Sequence, residues 1–213
     1  MKKFKKNRAL IFFCGLIIFL VVQPLISDFF LGLNIFLTLL MATFLLLNPY
    51  LVTAKRSWLI FAIIALIITI LDNVFGAKTN NFFFLTLKIL GLISYFTVII
   101  HGFWSIIKSD GISSEDVFNS LSGYFLIAIA FSLTYGVFLD FNMIEFSPQL
   151  SSGNDTGDLL YYSFSTLTTL GYGDIVPVSK IAKRLSGIEA ATGVLYVAVF
   201  IGYLIGAKRK QHK

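Results

Sequence analysis

Residues 159–177 read Leu-Leu-Tyr-Tyr-Ser-Phe-Ser-Thr-Leu-Thr-Thr-Leu-Gly-Tyr-Gly-Asp-Ile-Val-Pro, and this stretch decides the fold. Its apolar part, Leu159–Leu170, is rich in hydroxyl groups and too short to cross a hydrocarbon core of roughly 30 Å as a helix. Longer apolar runs lie on both sides of it. A short segment between two membrane spans is typical of a re-entrant loop. We therefore expect a short helix over about Asp158–Thr168, followed by a loop that returns to the side from which it came.

Two glycines in the loop occupy alternate positions, Gly171 and Gly173. Backbone that turns all its carbonyls to one side alternates between ordinary and left-handed dihedral angles, which favours glycine at every second residue. Stacked rings of such carbonyls can replace the hydration shell of a K⁺ ion. Thr169 can add a ring of hydroxyls at the inner mouth, and Tyr172 is expected to point away from the axis into the surrounding protein.

The run Thr169–Asp174 resembles the signature Thr-Val-Gly-Tyr-Gly-Asp of the potassium channel superfamily and matches it at five of six positions. The resemblance covers roughly residues 113–206, and within it the chain looks most like small bacterial six-span channels with one pore loop and no cytoplasmic regulatory domain. It implies K⁺ as the permeant ion, no cofactor, and no metal site beyond the ion itself. The ion would be held in a selectivity filter by carbonyls and one hydroxyl from these residues: Thr169, Leu170, Gly171, Tyr172 and Gly173.

Filter support is predicted at six further positions, and one more is a candidate gating hinge. The supporting residues are Asp174, Thr168, Tyr161, Tyr162, Ser165 and Glu189. The resemblance makes Tyr161 and Tyr162 part of an aromatic cuff and Gly193 the hinge of an inner helix. Two departures from the family stand out. Leu170 replaces Val, and Ser165 stands where some relatives carry a Glu that buttresses the filter aspartate, which leaves inactivation open.

Composition indicates a membrane protein. Of the 213 residues, 57% are hydrophobic and 13% are charged, and the mean hydropathy is +0.85. A soluble domain carries about a quarter of its residues as charges. The net charge of +6 comes from the ends and short loops, so no basic face could follow a nucleic acid backbone. The single Cys14 excludes an internal disulfide, and the sequence carries no enzyme signature.

Six apolar segments are long enough to span a bilayer as helices. They are approximately Ala9–Ile26, Phe29–Leu47, Trp58–Leu71, Phe82–Trp104, Val117–Leu139 and Ile181–Ile205. The predicted fold class is an all-α membrane protein of six transmembrane helices plus a re-entrant pore helix and filter loop. Residues 1–110 would form a four-helix peripheral domain, and residues 111–213 a pore domain of outer helix, pore helix, filter and inner helix.

Basic clusters set the orientation. Residues 2–8, Lys55 with Arg56, and residues 208–210 fall on one side of a six-span chain, so both termini are expected in the cytoplasm and the resemblance favours a bacterial inner membrane. Lys180, Lys183 and Arg184 violate the rule. A cleaved signal peptide is the alternative for the first span, although no small-residue cleavage site lies near its end.

One chain supplies one loop, whereas a ring of four carbonyls needs four loops. The sequence therefore predicts a homotetramer in lipid, with no nucleic acid and no soluble partner implied. Two rival functions remain: a K⁺ transporter evolved from such pores, which would carry four pore segments in one chain, and a non-conducting accessory membrane protein.

Two interpretations of individual charges also stay open. Glu189 lies inside the last span, where a charge costs at least a few kcal/mol. It either supports the filter from behind, hydrogen-bonded to Ser163 or Ser165 in ionised or protonated form, or is a structural buried acid. The outer acids either concentrate cations or belong to a solvated loop; they are Asp140, Glu145, Asp155 and Asp158.

The fourth span carries only one basic residue, Lys88. We interpret it as a structural anchor paired with Asp28 or Asp72, and expect at most weak voltage dependence because steep gating needs about 3–4 charges per subunit.

Overall fold

The computed structural model describes residues 8–27, 114–150 and 156–211, together with the isolated positions 89, 92, 93, 96, 97 and 100. The chain divides into two compact units. One comprises Met1–Ile106 and Ser113–Ser122, and the other comprises Ile107–Ile112 and Gly123–Lys213. The second and third predicted spans, and the predicted boundary at residue 110, lie outside the described residues.

The first unit contains helix α1, Arg8–Ser27, which agrees with the first predicted span to within one residue at each end. Its 20 residues are almost entirely apolar, and Leu16 is fully buried. The ring of Phe13 lies 5.9 Å from that of Phe118. In the fourth predicted span, the few described residues are helical, and apolar side chains at Ile89, Ile93, Phe96 and Ile100 are exposed.

Helix α2, Ser114–Asp140, corresponds to the fifth predicted span. Among the described residues it contains the one helical stretch long and apolar enough to cross a membrane, the 24 residues Val117–Asp140. Ala9–Ile18 is a shorter apolar stretch. Hydroxyls inside α2 are satisfied locally: Thr134 Oγ1 donates to the carbonyl of Ala130 over 2.7 Å. Such bonds to the preceding turn allow polar residues in an apolar helix.

Helix α3, Thr156–Leu167, is the predicted short helix, and helix α4, Lys180–Gln211, is the predicted last span. The α4 helix continues beyond the predicted end at residue 205 through a basic tail. It begins at a serine cap, because the Ser179 hydroxyl accepts the amide of Ala182 over 3.2 Å. The part of α2 from Gly123 onwards, together with α3 and α4, makes the second unit mostly helical.

The structure also contains a two-stranded antiparallel pair, which the predicted all-α fold class did not include. Strand β1, Phe146–Ser147, pairs with strand β2, Val176–Pro177, and an added bond runs from the Val178 amide to the Glu145 carbonyl over 2.9 Å. Strands of two residues carry no alternating pattern, so no sequence signal predicts them. The pair ties the segment after α2 to the segment that follows the filter.

Candidate pore and selectivity filter

In the loop after α3, every second residue from Thr169 to Gly173 has a left-handed backbone conformation. Thr169, Gly171 and Gly173 have φ values of +59°, +59° and +81°. Glycine adopts these left-handed angles without steric cost, whereas a threonine there costs about 1–3 kcal/mol. The glycine spacing predicted this alternation at 171 and 173. It did not predict that Thr169 would extend the alternation by one step towards α3.

Ser165 in the last turns of α3 organises the start of the filter. Its carbonyl accepts the amides of Leu170 over 2.9 Å and Gly171 over 3.2 Å. Its hydroxyl lies 3.4 Å from the amide of Tyr172. Three successive filter amides, those of Leu170, Gly171 and Tyr172, therefore point at one residue. These contacts are consistent with the predicted supporting role of Ser165, which stays a prediction.

Asp174 directly follows the filter and is hydrogen-bonded from α3. The Tyr161 hydroxyl donates to Asp174 Oδ2 over 2.7 Å, and the Ile175 amide lies 3.0 Å from Oδ1. The bond from Tyr161 lowers the pKa of Asp174, and the same bond raises the pKa of Tyr161 to about 12. The Tyr161 ring also stacks on Tyr172, with centroids 6.0 Å apart and planes at 8°.

The neighbouring Tyr162 faces the other way. Its ring meets those of Tyr135 and Phe146 edge-on, at centroid distances of 5.4 and 4.9 Å. Edge-to-face packing of this kind suits aromatic rings in a buried cluster. The predicted aromatic cuff is therefore two separate contacts within one chain: Tyr161 packs on the filter, and Tyr162 packs on α2 and β1.

Glu189 is fully buried between α2 and α3. Tyr135 donates to its Oε2 over 2.7 Å, and Ser163 is hydrogen-bonded to its Oε1. Of the two serines that the sequence offered as partners, Ser163 makes the contact, while Ser165 faces the filter. The carboxyl group thus lies behind the pore helix, on the side away from the loop.

Gly193 of α4 lies directly against the end of α3. A Cβ at this position would overlap the carbonyl oxygen of Leu167 and would lie 2.9 Å from its carbonyl carbon. The same carbonyl oxygen accepts the hydroxyl of Tyr124 over 3.1 Å. Gly193 therefore permits a close approach of two helices, a role that sequence reasoning missed because it depends on distances between elements. Its proposed hinge function stays a prediction.

The remaining predicted residues are exposed or bonded locally. Thr168 Oγ1 donates to the carbonyl of Phe164 over 2.7 Å, and Thr169 Oγ1 lies 2.6 Å from the carbonyl of Thr168. Asp140, Glu145 and Asp158 are exposed, and Asp155 lies outside the described residues. Within the described ranges, no three His, Cys, Asp or Glu side chains come together as a metal site.

Residues 121–208 match the model of a family described as ion channel. This range contains α3, the filter and most of α2 and α4. The match covers less than half of the chain, and together with the potassium channel relatives described below it supports the potassium channel superfamily. Three curated relatives match at significant level, and the family and these relatives are ion channels, not enzymes.

Two relatives illustrate the extent of the similarity. A voltage-gated potassium channel of Aeropyrum pernix is 32% identical over 75 residues, which are 35% of this chain and 25% of the relative. The two-pore potassium channel 4 of Arabidopsis thaliana is 36% identical over 83 residues, which are 38% of this chain and 26% of the relative. The chain thus spans about a quarter of the length of these relatives. No solved structure matches it.

Proposed function

We propose that this chain is a subunit of a potassium-selective channel in which four copies surround one pore and conduct K⁺ passively. One observation carries the proposal: left-handed backbone at Thr169, Gly171 and Gly173 in a segment that reads Thr-Leu-Gly-Tyr-Gly-Asp. Alternation of hand is what directs consecutive carbonyls to one side, and carbonyl rings select K⁺ by replacing its water. The match of residues 121–208 to the ion channel family adds support.

Exposure supports four copies. The filter and α4 expose large apolar side chains, with Tyr172 66% and Leu195 63% exposed. Exposed apolar surface of this extent is typical of contact with other subunits or with lipid. Because each chain supplies one loop, a closed fourfold ring is the smallest assembly that gives a ring of four carbonyls at each level. The ring would bury these side chains against neighbouring copies, with lipid around its circumference.

The finer features of the proposal come from the sequence and its resemblance. These proposed features are six spans, cytoplasmic termini, a bacterial inner membrane and weak voltage dependence. K⁺ would pass through rings formed by the carbonyls of Thr169, Leu170, Gly171 and Tyr172 and by the Thr169 hydroxyl. No cofactor and no soluble partner is needed for this passive conduction.

The test is reconstitution of the full chain in liposomes under a K⁺ gradient. We expect K⁺ flux that Ba²⁺ blocks and a reversal potential that follows K⁺ rather than Na⁺. The mass of the detergent-solubilised protein should correspond to four chains. Assembled protein that carries no flux under any gradient would favour the accessory-protein alternative, and flux without preference for K⁺ over Na⁺ would contradict the filter assignment.

A further inference from the structure

Glu189 joins three helices through a hydrogen-bonded cluster that contains none of the filter residues 169–173. The carboxyl group belongs to α4, Ser163 to α3, and Tyr135 and the Ala128 carbonyl to α2. The side chains of Glu189, Ser163 and Tyr135 are all fully buried. Solvent therefore cannot supply a missing proton or acceptor, and every bond must be satisfied inside the cluster.

The number of hydroxyl protons in the cluster determines whether the carboxyl group of Glu189 is protonated. Ser163 Oγ lies 2.6 Å from the carbonyl oxygen of Ala128, which can only accept. The single serine proton must therefore lie in that bond. Ser163 Oγ is also in hydrogen-bond contact with Glu189 Oε1, and no serine proton remains for it. The proton between these two oxygens has to come from the glutamic acid.

The other protons fit this assignment. Ser186 Oγ donates to the Ala182 carbonyl over 2.8 Å, so Tyr162, 2.5 Å away, must donate to Ser186. The Tyr135 hydroxyl lies 2.7 Å from Glu189 Oε2 and 3.4 Å from Ser186, so its proton belongs in the shorter bond. Oε2 then accepts as the carbonyl oxygen of the acid. Each hydroxyl donates once, and every close oxygen pair has its proton.

We propose that the carboxyl group of Glu189 is a proton-binding site that is occupied at neutral pH. The proton is bound to Oε1 and forms a hydrogen bond to Ser163, and this bond links the inner helix α4 to the pore helix α3. An ionised carboxylate would draw the Ser163 proton to itself. Ser163 and the Ala128 carbonyl would then face each other at 2.6 Å with no proton between them, so the link from α3 to α2 would be lost. The protonation state does not depend on the proposed function; only its effect on K⁺ flux does.

The surroundings favour the neutral form. Among the residues that the structure describes, the titratable groups in hydrogen-bond contact with the cluster are two phenols, Tyr135 from α2 and Tyr162 from α3. Among the described residues, the hydrogen-bond partners of the Glu189 carboxyl group are the hydroxyls of Ser163 and Tyr135, and neither carries a positive charge. Phe146 of β1 contributes only an apolar ring, packed on both tyrosines. A buried carboxylate without a cation is strongly disfavoured, whereas a neutral acid with both oxygens bonded is not.

The site is close enough to the filter to affect it. Ser163 lies two residues before Ser165, whose carbonyl and hydroxyl hold the filter amides. Loss of the proton would remove the bond from Ser163 to the Ala128 carbonyl, in the same helical turn as Ser165, while the other contacts between α3 and α2 remain. Deprotonation should therefore reach the filter through the pore helix, and K⁺ flux should fall at alkaline pH.

The first measurement is infrared difference spectroscopy of the full chain in detergent at neutral pH, which needs no conduction. Ordinary Asp and Glu side chains titrate near pH 4 and are ionised under these conditions. We expect the wild type to show a protonated carboxylic C=O band that is absent from Glu189→Gln. Identical spectra for the two proteins would overturn the proposal.

The second measurement separates a proton donor from a simple buried acid. Glu189→Gln keeps one donor for Ser163 and one acceptor for Tyr135, so the assembled protein should keep its melting temperature. Glu189→Leu should lower it, because Ser163 and Tyr135 lose a partner. Ser163→Ala should lower it more than Thr134→Val, a matched control whose hydroxyl bonds only within its own helix. Equal melting temperatures for all of these variants would contradict the cluster.

The third measurement is liposome flux against pH. Wild-type flux should fall on alkalinisation and Glu189→Gln flux should stay level, because an amide does not titrate in this range. The same alkaline loss in both proteins would overturn the link to the filter. A wild type with the infrared band but no flux at any pH would count against the proposed function and leave the proton site standing.

Discussion

The hydroxyl of Tyr161 donates a hydrogen bond to Asp174 Oδ2 over 2.7 Å, directly after the last glycine of the filter. Because the bond lowers the pKa of Asp174 in the folded protein, it stabilises the fold above the ordinary carboxyl pKa and is lost as pH falls through the lowered value. Tyr161→Phe keeps the ring stacked on Tyr172 and removes the donor. We expect K⁺ flux of the variant to decline faster during sustained conduction at neutral pH, measured in planar bilayers.

Acidification separates this tether from a general charge effect. Wild-type flux should become as short-lived as that of Tyr161→Phe at low external pH, whereas the variant should change little. Glu145→Gln removes an exposed acid that is not part of the bond between Tyr161 and Asp174, and it serves as the control. Identical decline in wild type and Tyr161→Phe at neutral pH would show that the hydrogen bond does not hold the filter.

The glycines of the filter should tolerate no side chain. Gly171 and Gly173 have positive φ, and no atom lies within 4 Å of the place that a Cβ would take, so backbone conformation alone decides the effect. Alanine there costs about 1–2 kcal/mol for each left-handed residue, multiplied over four subunits. We expect Gly171→Ala and Gly173→Ala to abolish K⁺ flux while tetramers still form. Gly157→Ala, which has open space and ordinary φ, is the control, and K⁺-selective flux through either filter variant would refute the assignment.

Gly193 offers a test between packing and hinge motion. Gly193→Ala places a methyl group on the Leu167 carbonyl, and overpacking of this kind costs about 1–3 kcal/mol. We expect a lower melting temperature of the assembled protein. Gly187→Ala on the same helix meets open space and should leave the melting temperature unchanged. A Gly193→Ala protein with wild-type stability but altered open probability would favour the hinge instead.

Voltage dependence should be weak. One lysine per subunit, Lys88, bounds the gating energy of a tetramer at about 9 kcal/mol per 100 mV, and only if all four charges cross the whole field. We expect nearly constant open probability over about ±100 mV in planar bilayers, the range in which a gating charge of that size would act. A steep sigmoid in the wild type that flattens in Lys88→Gln would show that this residue is a sensor and not an anchor.

The sequence predicted the elements whose conformation is determined by residues close together in the chain. Helices α2, α3 and α4 follow from runs of apolar residues, and the loop between α3 and α4 follows from its glycines. Gly193 and Tyr124 both contact the carbonyl of Leu167. These contacts depend on the distance between packed helices, and the spacing of apolar residues in the sequence does not predict that distance. The choice of Ser163 over Ser165 as the partner of Glu189 depends on the rotation of α3 about its axis. Two-residue strands leave no pattern at all.

The main chain of Ser165 supplies the acceptor for two of the three filter amides bound at that residue. Every amino acid has that carbonyl, so a codon change at position 165 leaves both bonds possible and removes only the weaker contact of the hydroxyl with Tyr172. Substitutions at position 165 would therefore keep the two main-chain hydrogen bonds that position the start of the filter. The side chain at position 165 can thus vary between relatives while the main-chain bonds to Leu170 and Gly171 persist.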